Sequence, residues 1–190
     1  MARRTSCEHS PRGDRPRGRL SRLSRAHNVL TINLALSTLI FWIIARVYLV
    51  PRLSTFDPRT VLVPILLLHS TRHLGLMFLS PGATYPGLPS SFAYPAALGD
   101  FAAALLALLA LPAVLRGARA AKLLVWVFNL EGSIDLVAAI ALATIHDAAP
   151  FMGAAYWIPA LWVPALLVTH YLTFSLLRRP WPDRPGVSAR

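Results

Sequence analysis

Charge is scarce in this sequence. Only 14% of its 190 residues are Asp, Glu, Lys or Arg, against about 25% in an ordinary soluble domain. Acidic residues are the scarcer kind, 8 against 19 basic ones. Cysteine is almost missing: Cys7 stands alone, which excludes an intrachain disulfide and a cysteine-based zinc site. No apolar segment precedes Cys7, so it does not read as a lipoprotein cysteine. The spacings of a His-Glu-x-x-His zinc site and of a Gly-x-Ser-x-Gly nucleophile elbow are both lacking. The sequence therefore offers no catalytic or metal-ligating set and leans away from an enzyme.

What is present is apolar. Hydrophobic residues make up 55% of the chain, gathered into runs long enough to cross a bilayer, for which about 20 residues suffice. They predict an all-helical membrane bundle over residues 28–177 with about five spans: 28–50, 60–79, 93–115, 123–145 and 154–177. Residues 1–27 are rich in Arg, Ser, Pro and Gly and predict a disordered basic tail. Residues 178–190 form a second basic tail. Pro64 is expected in the first turn of its helix, where it costs little. Pro159 and Pro164 are expected to kink the last one. Ala93, Ala97, Ala104 and Ala107 recur on the Asp100 side of the third span, and such small residues predict a close-packed central helix.

The net charge of +11 does not call for nucleic acid, since the basic tail holds no motif of a folded reader. Basic residues beside apolar spans set topology and attract anionic lipid headgroups of the bilayer. Five spans place Arg52, Arg59, Arg116, Arg119, Lys122 and the C-terminal tail on one side, and the eight arginines before residue 26 on the other. The agreement of three separate segments favours the first group inside, in a bacterial inner membrane. If residues 61–79 are re-entrant, four spans instead leave all the basic ends inside.

Against this background the charges inside the spans stand out. His69, Arg72 and His73 fall at i, i+3 and i+4 of the second span and would share one helix face. Asp100 lies in the third span, Asn129, Glu131 and Asp135 in the fourth, and His170 in the fifth. At about 1.5 Å per residue, Arg72, His73, Asp100 and Asp135 lie roughly 18–22 Å deep. His69, Asn129, Glu131 and His170 lie roughly 10–15 Å deep, as a second layer. A charge at mid-bilayer costs about 2.5–3.5 kcal/mol on insertion scales, so Arg72 is expected to pair with Asp100, Asp135 or both.

Three uses of such a cluster differ in class. Carboxylates and histidines can bind a transported ion or small molecule, and Arg72 would suit an anionic group. His69 or His73 together with His170 could ligate haem b, or the cluster could serve a quinone or lipid in a redox or enzymatic component. The plainest use is helix packing alone. Transport predicts a water-lined cavity reaching one face; haem predicts a flat apolar slot between two histidines; packing predicts neither.

From residue 72 onward the chain resembles a family of small, uncharacterised bacterial integral membrane proteins. The resemblance rests on Arg72-His73-Leu74-Gly75, Phe78-Leu79, Leu88-Pro89, Phe92-Ala93-Tyr94-Pro95-Ala96 and Gly99-Asp100. It continues through Trp126-Val127-Phe128-Asn129, Gly132, Asp135-Leu136, Ile158-Pro159, Val163-Pro164 and His170. It implies a helical membrane fold and no particular reaction or cofactor.

Overall fold

The computed structural model describes residues 16–179 and 181. It is all-helical, with five segments long and apolar enough to cross a membrane: Asn28–Arg52, Pro58–Leu79, Ser90–Arg116, Ala121–Ile145 and Gly153–Leu177. We label the main helices α1 (Pro16–Ile44), α2 (Pro58–Ser70), α3 (Ser90–Arg116), α4 (Ala121–Ile145) and α5 (Val163–Leu177). A 3-10 helix, Thr71–Leu79, completes the second segment, and π-helical turns at Ala45–Leu49 and Ile158–Trp162 interrupt the first and the fifth.

Several helix ends differ from the sequence expectation. The tail expected to be disordered is helical from Pro16 onward, while residues 1–15 and most of the C-terminal tail lie outside the described residues. Pro16 suits a first helical position, and the Leu, Arg and Ala that follow are good helix formers that extend the apolar span outward. The second segment starts at Pro58 because the Asp57 side chain caps it, accepting from the Arg59 N–H at 3.2 Å. Pro64 consequently sits inside α2, not in its first turn. The third segment starts at Ser90 and the fourth at Ala121. In the fifth, the prolines are accommodated by the π turn at Ile158–Trp162, with Pro164 in the first turn of α5.

Helix α3 is central, packed against α2, the 71–79 segment and α4. The expected alanines Ala93, Ala97, Ala104 and Ala107 are all buried, as are Ala96, Ala103 and Ala110, which lets neighbouring backbones approach. Helix α1 is peripheral. It packs on α5 and on the 149–151 and 158–162 segments, and Ile32, Leu36, Leu39, Ile40 and Ile43 stay exposed.

The bundle has two apolar cores. One surrounds Leu62, Leu66, Val114, Val125, Phe128 and Leu172, and the other Phe78, Phe92, Leu136, Met152, Ile158 and Leu166. The first lies toward the connectors 53–57 and 117–120, the second toward 80–89 and 146–157. At the second end the connectors pair through their backbones: the Tyr85 N–H donates to the Phe151 carbonyl at 2.9 Å, and that of Ala155 to Ala83 at 3.1 Å. At the first end Lys122 Nζ donates to the Arg179 carbonyl at 3.4 Å, and Trp181 packs on the apolar core.

That shared end generates a prediction. With Cys7→Ser as background, Ala118→Cys and Arg179→Cys should react with a membrane-impermeant maleimide from the same side. Labelling of the two from opposite sides contradicts the arrangement.

Candidate functional site

Between the two apolar cores lies a buried polar layer: His69, Arg72, Asp100, Asn129 and His170, with Asp135 at its edge. The 3-10 geometry selects which residues of the second segment enter it. With three residues per turn, side chains at i and i+3 eclipse. His69, Arg72, Gly75 and Phe78 accordingly form one buried line. His73, expected to share their face, turns outward instead. It is exposed, and its Nδ1–H donates to the Ser70 carbonyl at 3.0 Å. An α-helical register would have kept His69 and His73 together; the tighter helix separates them.

Arg72 is 1% exposed. Its Nε donates to Asp100 Oδ1 at 2.8 Å and its Nη2 to Asp135 Oδ2 at 2.5 Å. Nη1 donates to the Gly132 carbonyl at 3.2 Å and to His170 Nε2 at 3.3 Å. The pairing expected from the cost of a buried charge is therefore present with both carboxylates. The guanidinium has five N–H groups and no acceptor, so His170 Nε2 accepts and its Nδ1 carries the proton. That Nδ1–H donates to Asn129 Oδ1 at 2.7 Å. Asn129 Nδ2 returns a bond to the His170 carbonyl at 3.4 Å. The two layers expected from depth thus merge into one network through Arg72.

His69 joins by packing. Its ring lies 4.3 Å from that of His170 and 4.9 Å from that of Phe128, centroid to centroid. The Thr169 hydroxyl donates to the backbone of α5, so at 2.9 Å it accepts from His69 Nε2–H. His69 Nδ1 is buried with no hydrogen-bond partner among the described residues. Glu131 stays outside the network. It is half-buried, one turn from Asp135 on α4, and its Oε2 is buried without a hydrogen bond among the described residues.

Three glycines make room for this network. A Cβ at Gly75 would overlap the Asp100 carboxylate, and one at Gly99 the Asp135 carboxylate. A Cβ at Gly132 would stand 2.6 Å from Arg72 Nη1 and 2.7 Å from His170 Cε1. Each pocket for a polar group is the missing side chain of a neighbouring helix. The sequence signal was available, since every one of these glycines lies within three positions of a charged residue inside a span.

The histidines do not fit haem b. His69 and His170 touch ring to ring, leaving no gap for a macrocycle, and both ring nitrogens of His170 are engaged. His73 faces outward. Among the described residues no group of three or more His, Cys, Asp or Glu is placed to hold a metal ion.

Sequence reasoning missed the cavity beside the network. It has a volume of about 330 Å³ and lies between Leu30, Thr31 and Leu34 of α1 and Leu136, Ile140 and Thr144 of α4. Phe78, Phe92, Met152 and Ile158 wall it toward the paired connectors, and Asp100 closes its inner end. The lining is apolar apart from Asp100 and the two threonines, in contrast to the water-lined cavity expected for transport. No sequence period marks a cavity whose wall comes from all five segments.

In comparison with known proteins, residues 29–178 match the family described as a domain of unknown function, DUF8737. The match takes in every residue of the polar network. No curated protein and no solved structure matches.

The network generates two predictions. Arg72→Ala should cost about 3–5 kcal/mol, because it strands buried carboxylates, and Asp100→Ala should also destabilise, because it leaves the Arg72 Nε–H without its acceptor. The double variant should cost less than their sum, read as thermal unfolding in one detergent; strict additivity with both Asp100 and Asp135 would mean the groups do not meet. Gly99→Ala is the second case. Alanine favours a helix interior by about 0.5–1 kcal/mol over glycine, yet overlap with Asp135 should reverse the sign and lower the melting temperature. A raised melting temperature contradicts the close approach.

Proposed function

Because the chain belongs to the DUF8737 family, whose description carries no activity, we propose its role from the site: a small transporter-like or binding protein, multi-pass in the bacterial inner membrane, that takes a small molecule into the cavity beside Asp100. The observation that carries this reading is the cavity itself, which runs from the paired connectors inward to a buried carboxylate. Its volume lies at the lower end of the range of small-molecule sites, about 300–1,000 Å³. Helix packing alone accounts for the Arg72 network but not for an open space ending on one of its members.

Arg72 acts in this reading as a clamp, not as the receptor for an anion. Four acceptors already hold its N–H groups, and it does not line the cavity. The irregular helices support a transporter-like role. The 3-10 segment Thr71–Leu79 is longer than the usual three or four residues. The 3-10 segment and the π turn Ile158–Trp162 both reach the cavity, through Phe78 and Ile158. Interrupted helices flanking a mid-membrane site are the arrangement found in many transporters. The apolar lining favours one variant of the redox alternative, a quinone or lipid in the same cavity; haem ligation by the histidines finds no support in their geometry.

The test is to extract the protein directly into nanodiscs, denature it and identify what is released by mass spectrometry. The wild type should release a bound small molecule and Ala139→Phe, which fills the cavity away from the charges, should not. A raised melting temperature for Ala139→Phe, with nothing released from either protein, is the signature of a mere packing void and overturns the proposal.

A further inference from the structure

We propose that the cavity's ligand is a lipophilic monocation, an apolar molecule bearing one ammonium-like charge, which pairs with Asp100 and enters from the lipid between α1 and α4. This rests on the reading of the cavity as a binding site and goes further by assigning the ligand's charge, polarity and route.

The wall decides the body of the ligand. Leu30, Leu34, Phe78, Phe92, Leu136 and Ile140 surround most of the space, so a polar molecule would lose its hydration there without replacement. The inner end decides the head. Asp100 is 7% exposed and is the only charged residue in the lining. One of its oxygens accepts from Arg72 Nε. The other packs against Gly75 and has no hydrogen bond among the described residues. An ionised carboxylate accepts and cannot donate, so what meets it must be a donor or a cation.

An anion is disfavoured twice. It would face the Asp100 carboxylate, and the guanidinium that could offset this is turned away, held by Asp135, the Gly132 carbonyl and His170. The charge count gives the same sign. One guanidinium stands between two carboxylates, Asp100 and Asp135. With both carboxylates ionised, this leaves one unit of negative charge over in a buried layer, where an unpaired charge is costly. A single positive charge beside Asp100 makes the set neutral.

The packing decides the route. Helix α1 rests on α5 and on the segments before it, and the cavity lies between α1 and α4. Of its lining, Thr31 on α1 and Thr144 on α4 are exposed, and Leu34 on α1 and Ala139 and Ile140 on α4 are half-buried. A molecule dissolved in the apolar phase reaches the cavity between these two helices.

The experiment compares three probes with one cage: adamantylammonium, neutral adamantanol and adamantane carboxylate, each titrated into the full chain in phosphatidylcholine nanodiscs. The zwitterionic lipid removes any general attraction of cations to the membrane surface. The ammonium should bind about tenfold or more tighter than the alcohol, with the carboxylate weakest. Asp100→Asn should remove the preference while leaving the alcohol bound, and Ala139→Phe should abolish all binding. The wild-type comparison stands even if Asp100→Asn fails to fold. Equal binding of ammonium and alcohol, or tighter binding of the carboxylate, keeps the cavity as a site and overturns the assignment of a cation. Binding of none of the three overturns both.

Discussion

A guanidinium removed from water governs the middle of this bundle. Arg72 is the largest fully buried side chain, and its charge is tolerable only because acceptors converge on it from three other helices: Asp100 on α3, Gly132 and Asp135 on α4, and His170 on α5. Each acceptor must be at the right height along its helix, so one side chain sets the relative register of four segments. Apolar packing alone would constrain that register weakly, because one alanine or leucine row slides onto the next at modest cost. The network also assigns roles to its neighbours. It fixes the tautomer of His170 through Asn129 and requires Gly75, Gly99 and Gly132 to have no side chain.

The same constraint explains why the second segment changes its winding. Helix α2 delivers His69, and the chain then tightens into a 3-10 helix over Thr71–Leu79. Tightening brings Arg72, Gly75 and Phe78 under His69 in a single line facing α3. The segment thus reaches from the polar layer into the second apolar core without turning either Arg72 or Phe78 toward lipid. A charged layer thus separates two apolar cores, and the cavity beside Asp100 is walled by residues of the second, among them Phe78, Phe92, Leu136 and Met152.

Much of this was legible in the residues. Apolar runs gave the five segments because length and composition are what crossing a bilayer demands. The cost of an intramembrane charge singled out Arg72 and its two carboxylates, and that argument needs no knowledge of the fold. The recurring alanines of α3 pointed to its central place. What was not legible depended on local winding or on surfaces from several segments. His73 was assigned to the wrong face because residue spacing was read on an α-helical wheel, and nothing in Thr71–Leu79 announces a 3-10 helix. Helix α1 began earlier than its composition suggested, since Arg and Leu favour a helix even where Ser and Gly interrupt them. The cavity left no trace in the sequence because it is made of ordinary Leu, Phe and Ile.

The peripheral seat of α1 has a consequence for how the protein is made. Of the five segments it leaves the ribosome first, yet its packing partners are α5 and the segments leading into it, the last to be synthesised. The hydrogen bond from Asn33 Nδ2 to the Tyr156 hydroxyl, at 3.0 Å, also waits for that stretch. During biogenesis α1 therefore stands as a solitary helix while the second to fourth segments assemble, and it docks only once the fifth has followed. Its apolar, uncharged length from Val29 to Ala45 is what makes that wait tolerable.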